Sequence, residues 1–293
     1  MVALGHIKAE SCKLCGDTSP IRQSHIVPKF VIKYLKDTGV TGYIRQGVKI
    51  NVRKQDFPKT KLLCAKCERL FSKREKVFAE AIFKPYLNDG IRRFEYQEWL
   101  RYFAISIFWR FATVDINDFE KEDPAKGILV REAMSKWASF LLEQTKYSGN
   151  FQYDIFFLDI SKISDRNRHV PGMNWLLMRG FDGTIFFNKK GVGIYCRIPG
   201  FLFCCHISPN KNKHWKKTSI KRRGVISTPQ YIKDKRFGSF LLDRLKVARE
   251  MMDAMSDNQK DKIRNSYMKE FSDKHNKILE LIRADADYFI RKD

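Results

Sequence analysis

Two short cysteine pairs constrain this chain more than anything else in it. Each is a C-x2-C knuckle: Cys12/Cys15 in "CKLC" and Cys64/Cys67 in "LLCAKCERLF". A knuckle holds two thiolates at the separation a tetrahedral zinc ion needs, so two of them predict one four-cysteine Zn²⁺ site. Four thiolates leave no open coordination position, so such a site folds a module and does no chemistry itself. The 48 residues between Cys15 and Cys64 exceed ordinary zinc-finger spacing, so a segment is inserted between the halves of the site. The other three thiols, Cys196, Cys204 and Cys205, fall on expected strands. Neighbouring strand residues point to opposite faces, so these are expected as buried thiols, with His206 in a packing role.

The rest of the chain has the material for a core. Of 293 residues, 43% are hydrophobic and 13% aromatic, which excludes a disordered chain. Apolar spacing at Leu70, Phe71, Val77, Phe78, Ala81 and Ile82 predicts a helix over 66–87. A second helix, 96–114, is apolar nearly all round and is expected in the core. A third follows Asp123 as cap and Pro124 at the first helical position. After Gly149 come "YDIFFLDI", "NWLLMRGF", "TIFFN", "VGIYCRI" and "FLFCCHI", read as four or five strands of an antiparallel meander over 152–208. Asp182-Gly183 is the strongest hairpin signal among them. A basic loop covers 209–224 and helices resume over 234–290, the last capped by Ser256 with Gln259 three residues on. The expected class is α+β, with a zinc module over 1–90 and a helical and meander companion over 91–293.

Charge narrows the function. Fifty-six Lys and Arg against 33 Asp and Glu give +23, a field that favours polyanions and above all nucleic acid. No targeting segment is read at the N-terminus. The most apolar run, "YFAISIFW", is eight residues against the roughly 20 of a membrane span, so a cytoplasmic protein without a membrane partner is expected.

Between the knuckles stands "SHIVPKF", and Glu68 follows the second knuckle directly. The order "CKLC", "SHIVP", "LLCAKCE" resembles the HNH (ββα-metal, His-Me finger) endonuclease family over roughly residues 10 to 85, and the wording is similar to a subgroup with "SHIIPKF" and "LLCxxCExxFS" motifs. The resemblance implies a strand ending at the histidine and a metal-binding helix opened by the second knuckle. It implies His25 as general base and Glu68 in the position of a ligand to a catalytic Mg²⁺ or Mn²⁺. Such chemistry needs a base near neutral pH and a divalent ion to stabilise charge on the phosphate. Glu68, Ser72 and Glu75 are spaced i, i+4, i+7 and share a helical face, so Glu75 is a second candidate ligand. Alternatively Glu75 pairs with Lys76 or Arg74. The sequence departs from the family at three points. Ser24 replaces the acidic residue before the histidine, "DFPKTKLLC" lacks the usual asparagine, and Glu68 replaces the closing Asn or His. Asp56 is the nearest carboxylate that could compensate, and an ordinary turn residue otherwise.

Cations supply the remaining candidates. "KNKHWKKTSIKRRG" offers Lys213, Lys216, Lys217, Arg222 and Arg223 for phosphates and Trp215 for stacking on a base. The insertion between the knuckles adds Arg45, Arg53 and Lys54, on a basic arm or a plain hairpin. The expected function is metal-dependent cleavage of nucleic acid, DNA first, with a role in bacterial antiviral defence or a mobile element implied by the resemblance alone. Two alternatives stand beside it: a nuclease-like fold that binds without cutting, and an interaction subunit with a protein partner. A homo-oligomer stays open.

Overall fold

A computed structural model of the chain describes residues 10–57, 59–158, 170–189, 191–209, 215–232, 234–270 and 276–285. After the first knuckle, β1 (Ile21–His25) leads straight into α1 (Lys29–Asp37), an element outside the sequence expectations. Its apolar positions Val31, Ile32 and Leu35 fall on one buried face. The insertion is completed by a short hairpin, β2 (Ile44–Gln46) and β3 (Lys49–Lys54). Then β4 (Lys59–Cys64) returns antiparallel to β1 and runs into α2 (Ala65–Phe78). The helix continues through a widened π turn, Ala79–Phe83, into α3 (Lys84–Asn88). The widened turn lies just ahead of Pro85, which brings no N–H to the helical ladder.

Next come β5 (Arg93–Tyr96) and two packed helices, α4 (Glu98–Glu122) and α5 (Pro124–Leu141). Asp123 caps α5 as expected, its carboxylate accepting from the Lys126 N–H at 3.1 Å. Fifteen residues of α4 are buried, consistent with its all-round apolar sequence. The strands β6 (Gln152–Phe157), β7 (Asp182–Asn188), β8 (Gly191–Ile198) and β9 (Phe201–Ser208) form one antiparallel sheet in the order β6-β9-β8-β7. Only β7, β8 and β9 run as a meander, while β6 joins at the far edge beside β9.

Three expectations are corrected here. "NWLLMRGF" contains a helix, α6 (Met173–Arg179), and not a strand. Asp182-Gly183 is no turn, but the start of β7, buried against α4: a Cβ on Gly183 would stand 2.6 Å from Phe111 Cε1. The glycine is needed for close approach and not for a bend. The chain then forms β10 (Trp215–Lys216), β11 (Gly224–Ser227) and β12 (Tyr231–Ile232). β11 pairs with β5, and β10 with β12. Three helices finish the described chain, α7 (Lys235–Asp253), α8 (Asp257–Glu270) and α9 (Asn276–Ala284). The expected Ser256–Gln259 capping pair is not made. The Ser256 N–H donates to Asn51 Oδ1 at 2.8 Å, and Gln259 Oε1 accepts from Arg45 at 2.9 Å.

The class is α+β, and the four-stranded sheet is buried on both faces, which is why its strands read as continuous apolar runs. One face, with Ile155, Ile194, Phe203 and Cys205, joins a core that also holds α4 and the N-terminal segment. The other, with Phe156, Tyr195, Leu202 and Cys204, packs under α7. Cys204 and Cys205 thus point to opposite faces, as their adjacency requires. Phe78 of α2 stacks on Phe103 of α4 at 4.1 Å and meets Phe203 of β9 at 5.7 Å, so one core runs through the chain on both sides of residue 90.

Candidate functional site

The two knuckles meet. The sulfurs of Cys12, Cys15, Cys64 and Cys67 all lie within 4.8 Å of one another, and Cys15 Sγ and Cys64 Sγ are 3.8 Å apart. A tetrahedron with Zn–S bonds of about 2.3 Å has edges of about 3.8 Å, so these four thiols can hold a zinc ion. The first knuckle turns through Gly16, whose φ of +77° suits a residue without Cβ, and the Gly16 N–H donates to Cys12 O at 2.8 Å. The second is shaped by secondary structure, Cys64 ending β4 and Cys67 lying in the first turn of α2. Burial, reinforced by the neighbouring sulfurs, holds the Cys67 thiol far above its ordinary range. A cation at the centre reverses that balance by favouring the thiolate.

β1, β4 and α2 make a ββα unit around this cluster. The register sets His25 opposite Lys59, Ser24 opposite Thr60 and Gln23 opposite Lys61. Opposite residues share a face. Ser24 and Thr60 point inward, 0% and 6% exposed, while His25, Lys59 and Lys61 stand on the other side. The residue before the histidine is therefore a core position, which excludes it from any site His25 faces.

His25 is held from two directions. Its Nε2 lies 2.8 Å from Asp56 Oδ1, and its backbone carbonyl accepts from Arg110 Nη1 at 3.1 Å. Asp56 Oδ1 also accepts from the Phe57 N–H at 2.9 Å, and Oδ2 pairs with Lys59 Nζ at 2.7 Å. Burial raises the Asp56 pKa, but the bonds from Lys59 and His25 outweigh it and the carboxyl falls to about 2. An ionised Asp56 can only accept, so Nε2 carries the proton and Nδ1 is the basic nitrogen.

The expected carboxylates separate. Glu75 Oε1 accepts from Arg110 Nη2 at 2.6 Å, inside the protein, and is not paired with Lys76 or Arg74. Arg110 is 3% exposed, so Glu75 is committed to neutralising it. Asp56 is committed to His25 and Lys59. Glu68 remains, half-buried in the first turn of α2. Mg²⁺ is commonly held by one or two carboxylates with phosphate oxygens completing its shell. Among the described residues no cluster of carboxylates offers such an ion a cage, and Glu68 is the one expected carboxylate that is not already paired.

Among the basic candidates, Trp215 is corrected. It is 7% exposed, packed against Phe156 and Phe237 at 4.8 Å each and His206 at 4.6 Å, and presents no face to a base. His206 packs as expected, and burial takes its pKa down to about 4. Arg45 is half-buried: its guanidinium donates to Ile50 O and Gln259 Oε1, both at 2.9 Å, and so ties the hairpin to α8. Arg53 lies over the Tyr43 ring at 5.4 Å and Lys54 donates to Gln46 Oε1 at 3.3 Å. Lys216, Lys217, Arg222 and Arg223 are exposed, with Arg222 3.6 Å from Glu98. Lys213 lies outside the described residues. Sequence reasoning missed Lys59 and Lys61, whose cue was the alternation in "KTKLLC".

No family model matches the chain, and no curated protein or solved structure matches it either. No helix among the described residues is long and apolar enough to cross a membrane.

Proposed function

We propose that this protein is an HNH-like, metal-dependent nuclease that hydrolyses phosphodiester bonds in nucleic acid, with DNA as its first substrate. The observation that carries the reading is the His25–Asp56 contact of 2.8 Å at the end of β1, in a ββα unit whose other end carries the four-cysteine cluster. It leaves Nδ1 of an oriented imidazole to take a proton from water. Asp56 positions the ring and stabilises the imidazolium that forms. Lys59 and Lys61, on the same face, can meet the phosphate backbone, and the exposed Lys216, Lys217, Arg222 and Arg223 are further candidates for phosphate contact. A divalent ion held by Glu68 and the phosphate would stabilise negative charge on the leaving oxygen. Zinc at the cysteine cluster is structural in this reading, holding β4 and α2 to the first knuckle.

A second reading, binding without cutting, is favoured by one observation: two of the three expected ligand carboxylates are occupied by Arg110, His25 and Lys59. Incubating the protein with plasmid DNA and single-stranded RNA, with Mg²⁺ or Mn²⁺ and with chelator, separates the two. Cutting that requires the added ion supports the nuclease. Intact substrate, bound with an affinity that falls steeply with salt, supports the binding protein.

A further inference from the structure

A cavity of about 240 Å³ opens between the β2–β3 hairpin, α6 and the C-terminal helices. An engineered cavity of about 150 Å³ takes up benzene, so this one has room for a two-ring body. Its wall is largely apolar, with Phe57, Trp175 and Phe181 on one side and Met251, Met252 and Met255 on another. Methionines give an adaptable lining.

Three arginines break the apolar surface, Arg45, Arg179 and Arg197, of which Arg179 donates to the Leu35 carbonyl and the Thr38 hydroxyl. Arg197 is 3% exposed and donates to the Leu176 carbonyl, while Arg45 donates to a carbonyl and an amide. Among the described residues neither has a carboxylate within ion-pair distance. Asp182 offsets part of the Arg197 charge from further off, but its two oxygens are taken by Arg244 at 2.7 and 2.8 Å. Burial lowers the pKa of both guanidinium groups, and Arg53 nearby adds to the effect on Arg45. Buried charge without a counter-charge is costly, and an anion in the cavity relieves that cost.

We propose that this cavity binds a small amphipathic anion, a compact apolar body carrying one carboxylate or phosphate, with Arg45 and Arg197 as its charge partners. The site is independent of the nuclease reading, because none of its argument uses His25. The test is calorimetric titration of the full chain with 2-naphthoate, 2-naphthyl phosphate and neutral 2-naphthol. At least one acid should bind about tenfold or more tighter than the naphthol, the worth of one charge-assisted hydrogen bond. Whichever acid binds tighter identifies the head group. Arg45→Met should cut acid binding severalfold, Arg197 remaining, while naphthol binds as before. Ala248→Trp, on the cavity wall, should abolish binding of all three, with melting curves showing that both variants fold. Acids that bind no tighter than naphthol, or that bind Ala248→Trp unchanged, overturn the proposal.

Discussion

The contact between His25 and Asp56 shows how much one partner decides. A histidine at a strand end can carry its proton on either of two nitrogens until a partner selects one. Here Asp56, ionised because Lys59, His25 and the Phe57 N–H together outweigh its burial, selects Nε2 as the protonated one. Asp56→Asn keeps an acceptor oxygen for His25 but loses the charge that stabilises the imidazolium. Cleavage by that variant should fall about 100-fold in kcat with KM unchanged, as measured on a plasmid substrate. An unchanged kcat would remove Asp56 from the chemistry. The sequence pointed to His25 through the bracketing knuckles and to Asp56 only as a nearby carboxylate that could compensate for a missing ligand; the β1–β4 register and the intervening loop bring it to the ring instead.

Elements are joined by a few buried charges. Arg110 of α4 reaches back to the carbonyl of His25 on β1 and to Glu75 on α2, and so fixes strand, helix and core helix together. Removing one member of a buried pair leaves the other uncompensated. Arg110→Ala should therefore destabilise the protein by about 3–5 kcal/mol, and Glu75→Gln by a similar amount, read from denaturant unfolding. In a double-mutant cycle the two losses should be far from additive; additive losses would show that they act separately. Local chemistry made α4, α5 and the knuckles legible, since their signals lie within a few residues. The elements that were misread depend on distant partners. α6 begins at Gly172 with φ +74°, and its first N–H groups are satisfied by Asp285, at 3.3 Å from Asn174 N and 2.7 Å from Trp175 N, about 110 residues away. Asp182-Gly183 reads as a turn until Arg244 and Phe111 supply the reasons for its burial. Trp215, among cations in the sequence, is claimed by α7 and β6.

At the scale of the whole molecule, burial of carboxylates gives stability a definite pH dependence. Burial raises Asp115 and Asp154 to about 6, above the usual value of about 3.8. In the window between these values the native state binds more protons than the unfolded chain. This contribution is full below about pH 4 and is lost as pH rises through about 6. Asp154 accepts from Thr218 at 2.7 Å and Gln152 at 2.8 Å, which an asparagine can satisfy if the Gln152 amide turns over. Asp154→Asn should flatten the pH 4–6 slope and raise stability at pH 7 by about 2–3 kcal/mol, seen in thermal melts across that range. A steeper slope would reverse the assignment. The central claim, that an oriented His25 beside a zinc-bound ββα unit cleaves nucleic acid, is tested most directly by comparing single-turnover plasmid cleavage in Mg²⁺ or Mn²⁺ by the wild-type chain and His25→Ala, matched for zinc content and melting temperature. The account predicts metal-dependent cutting by the wild type and a rate lower by about 10²–10⁴ in the variant; equal rates in the two, or none in the wild type, would contradict it.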